Sequence, residues 1–501
     1  MRRDLNLTLS PSSLLTRDRV ISVLGAWLPA VVLLGAIAVR RWYQQGAFPT
    51  GLDGGQWLAI GRGLFGSGRA TDGAYPPFVP LLVEFGQTLS DPMLTLKLLS
   101  IGSLLAVAAL VYYIAQRRLS TMVAVTLTAT IGLTSAAAEP AAYGGYPQLL
   151  ATAFLLGASA MVTRYLATGE RRDLVGTAVG LIAAALTHHI YFPLALLTVT
   201  GIWLIWLTSR PPRHDAGQRS WGVLAAIASG LLAFAPTLIA FRAAGYAPPL
   251  DASQLGVIEA FRYGTRESPI TWGIIIGSSL ICLIATVRER RQPLWQIAAA
   301  LMTVTLPLFI LSAEVRLLLP ILIAGTLGLG YGFQRLMESA SGRVTPFLQF
   351  APLFLILLWP NADRAAGDYF RFYQVVDQPL LDAADALDEA ADGELAVVRH
   401  DRRGWPIGWW FEGLTDAKIA VGADRRWLGF PSERDQAAMA SSFFDTPVAA
   451  DRLGALAVRH DVRWLVFRKW EWIGWQRWVE AANPPVTIAY DDDEFMILAI
   501  R

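Results

Sequence analysis

Between residues 20 and 360 the chain lays down about eleven apolar segments, each near the length that crosses a hydrocarbon layer, and then runs for about 140 residues without another. A bilayer leaves backbone polar groups no water to bond, so segments of this kind fold as helices that satisfy themselves. The segments are 20–39, 97–115, 120–137, 147–163, 174–188, 190–207, 221–241, 271–287, 293–312, 317–334 and 344–359. Composition agrees, since 54% apolar against 16% charged residues over 501 positions is too apolar for a wholly soluble chain. The expected fold is a polytopic α-helical membrane protein of about eleven spans, residues 1–360, followed by a water-facing domain, residues 361–501. Ala36-Ile37-Ala38 resembles a signal-peptide cleavage site, but the apolar run before it is longer than a signal core, so the first span is read as retained.

Net charge is +2, which gives no electrostatic footprint for nucleic acid, and the excess of 39 arginines over three lysines says little about partners. Cys282 is the single cysteine, so no disulfide staples the final stretch. That stretch reads as alternating α and β: a helix over 377–391, then short strands in "ELAVVRH", "KIAVGA", "VRWLVFR", "VTIAYD" and "EFMILAI", with Asp491 to Asp493 as a hairpin turn. Trp470, Trp472, Trp475 and Trp478 crowd one part of it, as a sugar platform or, the preferred expectation, an aromatic belt at the membrane.

Arg117 and Arg118, Arg164, Arg171 and Arg172, Arg210, Arg213 and Arg219, and Arg288, Arg290 and Arg291 fall in alternate turns, which makes those turns cytoplasmic. The amino terminus joins them, and an odd number of spans puts the final domain outside. Arg40 and Arg41 dissent. The outer face then receives a long first loop (40–96) and most of the ionisable residues near the membrane. In that loop "GLDGGQWLAIGRGLF" spaces Trp57, Leu58, Gly61, Leu64 and Phe65 on one stripe, as in a helix lying on the membrane, and a second half-apolar stretch covers 78–89. Asp53 opens the first helix, as an N-cap boxed with Gln56, as a catalytic carboxylate, or as both.

Glu139 precedes Pro140, where the helix is expected to stop, leaving either a solvated helix end or a site acid. His188 and His189 sit in a tight turn, as packing residues or as binders of metal or phosphate, and helical geometry would aim only one of them at a site. Glu314 and Arg316 lie between two apolar spans with almost no loop, held at headgroup depth. They read as a surface ion pair or as an Arg fork for phosphate. The 242–270 loop carries Tyr246, Asp251, Glu259, Arg262, Tyr263 and Arg266 with no diagnostic spacing.

An acid before an aromatic-rich interfacial helix in the first external loop, followed by Pro76-Pro77, resembles membrane glycosyltransferases of the GT-C superfamily, among them protein O-mannosyltransferases, aminoarabinose transferases and oligosaccharyltransferase catalytic subunits. The resemblance covers most of the chain as architecture. It implies that Asp53 holds the place of the first-loop acid, Glu139 that of a second-loop acid, and Arg316, with Glu314, the place that meets a lipid phosphate. Gly54 departs from the pattern, because a second acid often stands there. The expected function is transfer of a sugar from a polyprenyl-phosphate donor to an envelope glycan, lipid or protein on the outer face of the cytoplasmic membrane. A divalent cation (Mg or Mn) held by Glu139 or a histidine is the expected cofactor. The alternatives are a lipid-linked-sugar flippase or transporter and an envelope-assembly binding protein.

Overall fold

The computed structural model describes residues 17–64, 75–209, 211, 213–247, 256–339, 359–444, 450–482 and 486–500. The helices run in chain order as α1 (Arg17–Gln45), α2 (Asp53–Leu64), α3 (Phe78–Gln87), α4 (Pro92–Ala115), α5 (Thr121–Leu133), α6 (Ser135–Tyr143), α7 (Tyr146–Thr168), α8 (Arg171–Thr187), α9 (Tyr191–Thr208), α10 (Arg213–Ala243), α11 (Val257–Gly264), α12 (Pro269–Ala285), α13 (Pro293–Ser312) and α14 (Leu318–Ser339). Local chemistry sets the ends. Asp91 accepts from the amides of Met93 and Leu94, with Pro92 as first helical residue, and Gly169 ends α7 in the left-handed region at φ 78°.

Six helices are long and apolar enough to cross a membrane: α4, α7, α9, α10, α13, and α14 with the turn before it. Two bent pairs, α5 with α6 at 43° and α11 with α12 at 105°, bring the number among the described residues to as many as eight. The segments expected at 20–39 and 174–188 coincide with α1 and with α8, which has 17 residues. The segment expected at 344–359 lies outside the described residues except for Trp359.

The span expected at 120–137 is not continuous. It breaks at Thr134, an extended residue, and the chain re-enters a helix that passes through Pro140 and ends only at Gly144, φ 100°. Two charged side chains hold that break. Arg41, 1% exposed, gives Nη2 to the carbonyls of Gly132 and Leu133, which close the C-terminal end of α5. Glu267 takes hydrogen bonds from Thr134 Oγ1 and the Ser135 amide at the start of α6. Positive charge at a helix C-terminus and negative charge at an N-terminus both complement the helix dipole. Arg40 pairs with Asp363 at 2.7 Å. The two arginines that broke the loop-charge pattern are thus committed to packing.

After α14 come α15 (Trp359–Phe372), α16 (Gln378–Ala391), β1 (Leu395–Val398), α17 (Gly408–Leu414), β2 (Lys418–Val421), α18 (Pro431–Phe444), α19 (Ala450–His460), β3 (Val462–Arg468), α20 (Trp475–Ala482), β4 (Val486–Asp491) and β5 (Phe495–Ile500). The five stretches expected as strands are these five. They form one mixed sheet in the order β2-β1-β3-β5-β4, with β1 parallel to β2 and β3, and β5 antiparallel to β3 and β4. Strand side chains alternate between faces, and the sheet uses both. Val398, Ile419, Val466 and Ile497 join the apolar core that runs on into the helical bundle. Val397, Leu465, Phe467 and Leu498 build a second core with Phe443, Phe444, Trp472 and Trp478. Two of the four tryptophans expected as a membrane belt are therefore interior packing residues.

Helix α2 is the seam between bundle and sheet. Its residues 54–61 are all buried, so it does not lie as a helix with one covered stripe. A Cβ on Gly54 would come within 2.7 Å of the Trp410 ring, and one on Gly55 within 2.5 Å of the Trp409 backbone. A second acid beside Asp53 has no room, which gives Gly54 its physical reason.

Candidate active site

A cavity of about 400 Å³ opens at the end of the bundle that faces the sheet, a size within the usual range for small-molecule sites. All six residues singled out from the sequence line it: Asp53, Glu139, His188, His189, Glu314 and Arg316. They arrive from α2, α6, the α8–α9 turn and the α13–α14 turn, so distant parts of the chain converge on one volume.

Asp53 is the first residue of α2, and its carboxylate makes no hydrogen bond among the described residues. The capping box expected with Gln56 is not formed. The backbone around Asp53 is stitched down instead. Gly51, at φ 123°, donates its amide to the Tyr373 carbonyl at 3.0 Å and accepts from the Trp410 indole at 3.1 Å, while Leu52 donates to the Tyr143 carbonyl at 2.8 Å. Trp57, one turn on, donates to the Gly144 carbonyl at 2.8 Å. The result is a fixed, unpartnered carboxylate that opens into the cavity. Burial pushes its pKa up to about 7, with the positive charge of Arg316 working against the rise.

Glu139 is buried within α6, and its Oε1 accepts from the hydroxyls of Tyr263 at 2.6 Å and Tyr373 at 3.3 Å. It is neither at a helix end nor solvated, because the helix continues past Pro140. Three separate elements therefore hold this acid.

Arg316 and Glu314 occupy a single 3-10 turn between α13 and α14. Ala313 reaches the left-handed region at φ 52°, uncommon for a residue with a Cβ, and turns the chain into the cavity. Glu314 accepts from the Arg316 amide, and the two side chains approach to 3.7 Å, long for an ion pair. The guanidinium makes no hydrogen bond among the described residues. Its fork thus remains available, half-buried, within electrostatic reach of Asp53 and Glu139.

The histidines correct an expectation. His188 is extended rather than helical, so the two rings stack at 5.0 Å and both line the cavity. His188 Nδ1 accepts from the Ile190 amide, and His189 Nε2 meets the Tyr246 hydroxyl at 3.2 Å. Burial, with Arg316 nearby, holds His189 down to about 3, so it works as a neutral imidazole at physiological pH.

Sequence reading passed over the rest of the wall. Tyr246 and Tyr263, set aside as ordinary loop polarity, line the cavity with Tyr75, Tyr143 and Tyr373, while Asp251 lies outside the described residues. The C-terminal region supplies a roof of Trp409, Arg426, Trp427 and Gly429. Gly429 accepts from the Ala247 amide, and Phe430 packs against Tyr75, Phe241 and Tyr246, which anchors that roof to the bundle. Among the described residues the Trp427 indole N–H is buried without a hydrogen-bond partner. Of these wall residues only Tyr75, next to Pro76-Pro77, and Tyr143, just after Glu139 and Pro140, carried any local signal.

Among the described residues no three His, Cys, Asp or Glu side chains gather as metal ligands, and His188 Nδ1, His189 Nε2 and Glu139 Oε1 are engaged in hydrogen bonds.

No family profile matches the chain, and no curated protein sequence does. Solved structures match in fold. Mycobacterial arabinofuranosyltransferase AftD superposes at TM-score 0.62 with 16% identity over 98% of this chain, which spans 40% of AftD. ArnT from Cupriavidus metallidurans, solved with undecaprenyl phosphate, gives 0.56 and 14% over 94% of this chain and 97% of ArnT. The Archaeoglobus fulgidus oligosaccharyltransferase gives 0.56 and 13% over 87% of this chain and 68% of its own. The chain is a multi-pass membrane protein with a GT-C-like fold.

Proposed function

We propose that the protein is a membrane glycosyltransferase that moves a sugar from a polyprenyl-phosphate donor to an acceptor at the outer face of the cytoplasmic membrane. The observation that carries this reading is the pairing, in one cavity, of a carboxylate without a hydrogen bond and an Arg fork with only a long contact to Glu314, both among the described residues. Asp53, near pKa 7, is poised to take the proton of an acceptor hydroxyl. The acceptor oxygen attacks the anomeric carbon and the bond from that carbon to the phosphate oxygen breaks. The electron pair leaves with the lipid phosphate, where Arg316 meets the growing charge. One displacement inverts the anomeric centre. Glu139, held by two tyrosines, orients the acceptor, and the neutral histidines offer hydrogen bonds and a stacking wall. No step is routed through a metal.

Eleven spans with a cytoplasmic amino terminus would set residues 361–501 outside as a separate α/β domain and put the cavity away from nucleotide sugars. Energy would come from the donor's own phosphate link, and ArnT, of similar fold, was solved with a polyprenyl phosphate. Purified protein given a short-chain polyprenyl-phosphate sugar should release polyprenyl phosphate only when an acceptor is present. Release that Asp53→Asn and Arg316→Ala leave untouched would sink the assignment.

A further inference from the structure

Glu267 is among the buried acids that have no part in the proposed chemistry. It is 8% exposed and sits in the bend between α11 and α12. Its Oε1 accepts from Thr134 Oγ1 at 2.6 Å, the Ser135 amide at 3.3 Å and the Trp272 indole at 2.9 Å, and its Oε2 accepts from Ser135 Oγ. Every contact donates, which is what a carboxylate needs in the interior. Thr134 and Ser135 are the break between α5 and α6, so a single side chain fastens one broken helix pair to the other.

Both fastened elements lead to the cavity. Ser135 lies one turn before Glu139 on α6, and Tyr263 lies four residues before Glu267, in the last turn of α11. The Tyr263 hydroxyl donates to Glu139, so α6 and the α11–α12 bend are tied twice, once at the joint and once in the site. We propose that Glu267 is a positioning residue, which fixes α6 against α11 and thereby holds Glu139 and Tyr263 in register for the acceptor. Two ties close a ring through short helical segments, and a ring of that kind leaves the acid little freedom to swing.

The proposal rests on the functional reading above for its effect on turnover but not for its effect on order. Glu267→Gln preserves the joint, because Ser135 Oγ also faces the Gly264 carbonyl at 3.3 Å and can turn its proton there while accepting from the new amide. The Gln variant should keep kcat within about threefold of the parent, while Glu267→Ala should lose at least about tenfold in kcat with both KM values within about threefold. Ser135→Ala removes one hydroxyl tie and provides a milder step if the Glu267→Ala protein does not fold, with an expected kcat loss of about three- to tenfold. Hydrogen exchange should rise in residues 135–143 and 257–264 together in the Ala variants and not in the Gln variant. Unchanged exchange in both segments, or normal turnover per folded molecule, overturns the proposal. A parent protein that transfers no sugar would defeat the functional reading while the exchange arm still decides the joint.

Discussion

At the end of the bundle away from the cavity, arginines close helices. Arg219 donates to the Leu166 carbonyl at 2.6 Å, Arg290 to Thr208 at 2.9 Å and Arg291 to Ser209 at 2.6 Å, while Arg164 pairs with Asp173 at 3.3 Å. At the cavity end, Arg316 has only the long contact to Glu314, and Asp53 has no hydrogen bond at all among the described residues. Both ends carry charge near a bilayer, where unsatisfied polar groups are costly. The arginines Arg219, Arg290 and Arg291 spend donors on helix ends, whereas the Arg316 fork and the Asp53 carboxylate hold no hydrogen bond among the described residues and stay open to a ligand. Unfilled capacity, more than the presence of charge, marks the working end.

Under the proposed orientation the two ends lie on opposite sides of the membrane, and the test of that is all or none. In a Cys282→Ser background, Ile473→Cys, at a position 99% exposed, should label on intact cells with an impermeant thiol reagent, and Ala167→Cys, at the arginine-closed end, should not. The reverse pattern would put the cavity among nucleotide sugars.

Next in size is Asp53→Asn, which should lower kcat by about 10²- to 10⁴-fold. In the parent, kcat/KM should climb with pH and level off above about 7, as the carboxylate loses its proton. The linkage has the opposite sign for stability. A carboxyl raised in the folded state costs nothing below its unfolded pKa and weakens the fold as pH rises through about 7. Melting of the Asn variant should therefore match or exceed the parent at pH 8, and a variant that melts earlier there would make Asp53 a structural residue.

Arg316 and Arg291 set the two ends directly against each other. Arg316→Lys keeps charge but loses the fork, and should cost about ten- to a hundredfold in turnover with little change in melting. Arg291→Ala should lower the melting temperature and leave turnover per folded molecule unchanged. Smallest is Trp427→Phe, which keeps a ring and deletes the orphan indole donor. A rise of about three- to tenfold in acceptor KM is expected, with donor KM unmoved. A donor effect instead would shift the roof to the lipid side.

Most helices, the strands and the six residues that line the cavity were legible because each rests on local pattern: apolar length, alternation, a charge with no loop around it. The break at Thr134 was not, since "TIGLTSAAAEP" is apolar enough to read straight through, and what bends it is Arg41 and Glu267 from distant segments. The tyrosine lining was invisible for the same reason. Tyr263 looks like loop polarity until α6 comes beside it. Trp472 and Trp478 show the converse, where a conspicuous cluster led to a surface reading and the sheet took them inside.

The glycine seat on α2 also orders events in time. Trp410 donates its indole N–H to Gly51 across 359 residues of chain, and α17 covers Gly54 and Gly55 only after the whole bundle has been made. At ordinary elongation speeds that is a wait of roughly 20 to 70 s, with the seat uncovered and the cavity unroofed. A nascent chain can thread its helices into the membrane during that interval but has no finished pocket, and a ribosome that stalls before residue 408 leaves a product with an open apolar seam for quality control to recognise. Completion of the last fifth of the polypeptide is what closes the chamber.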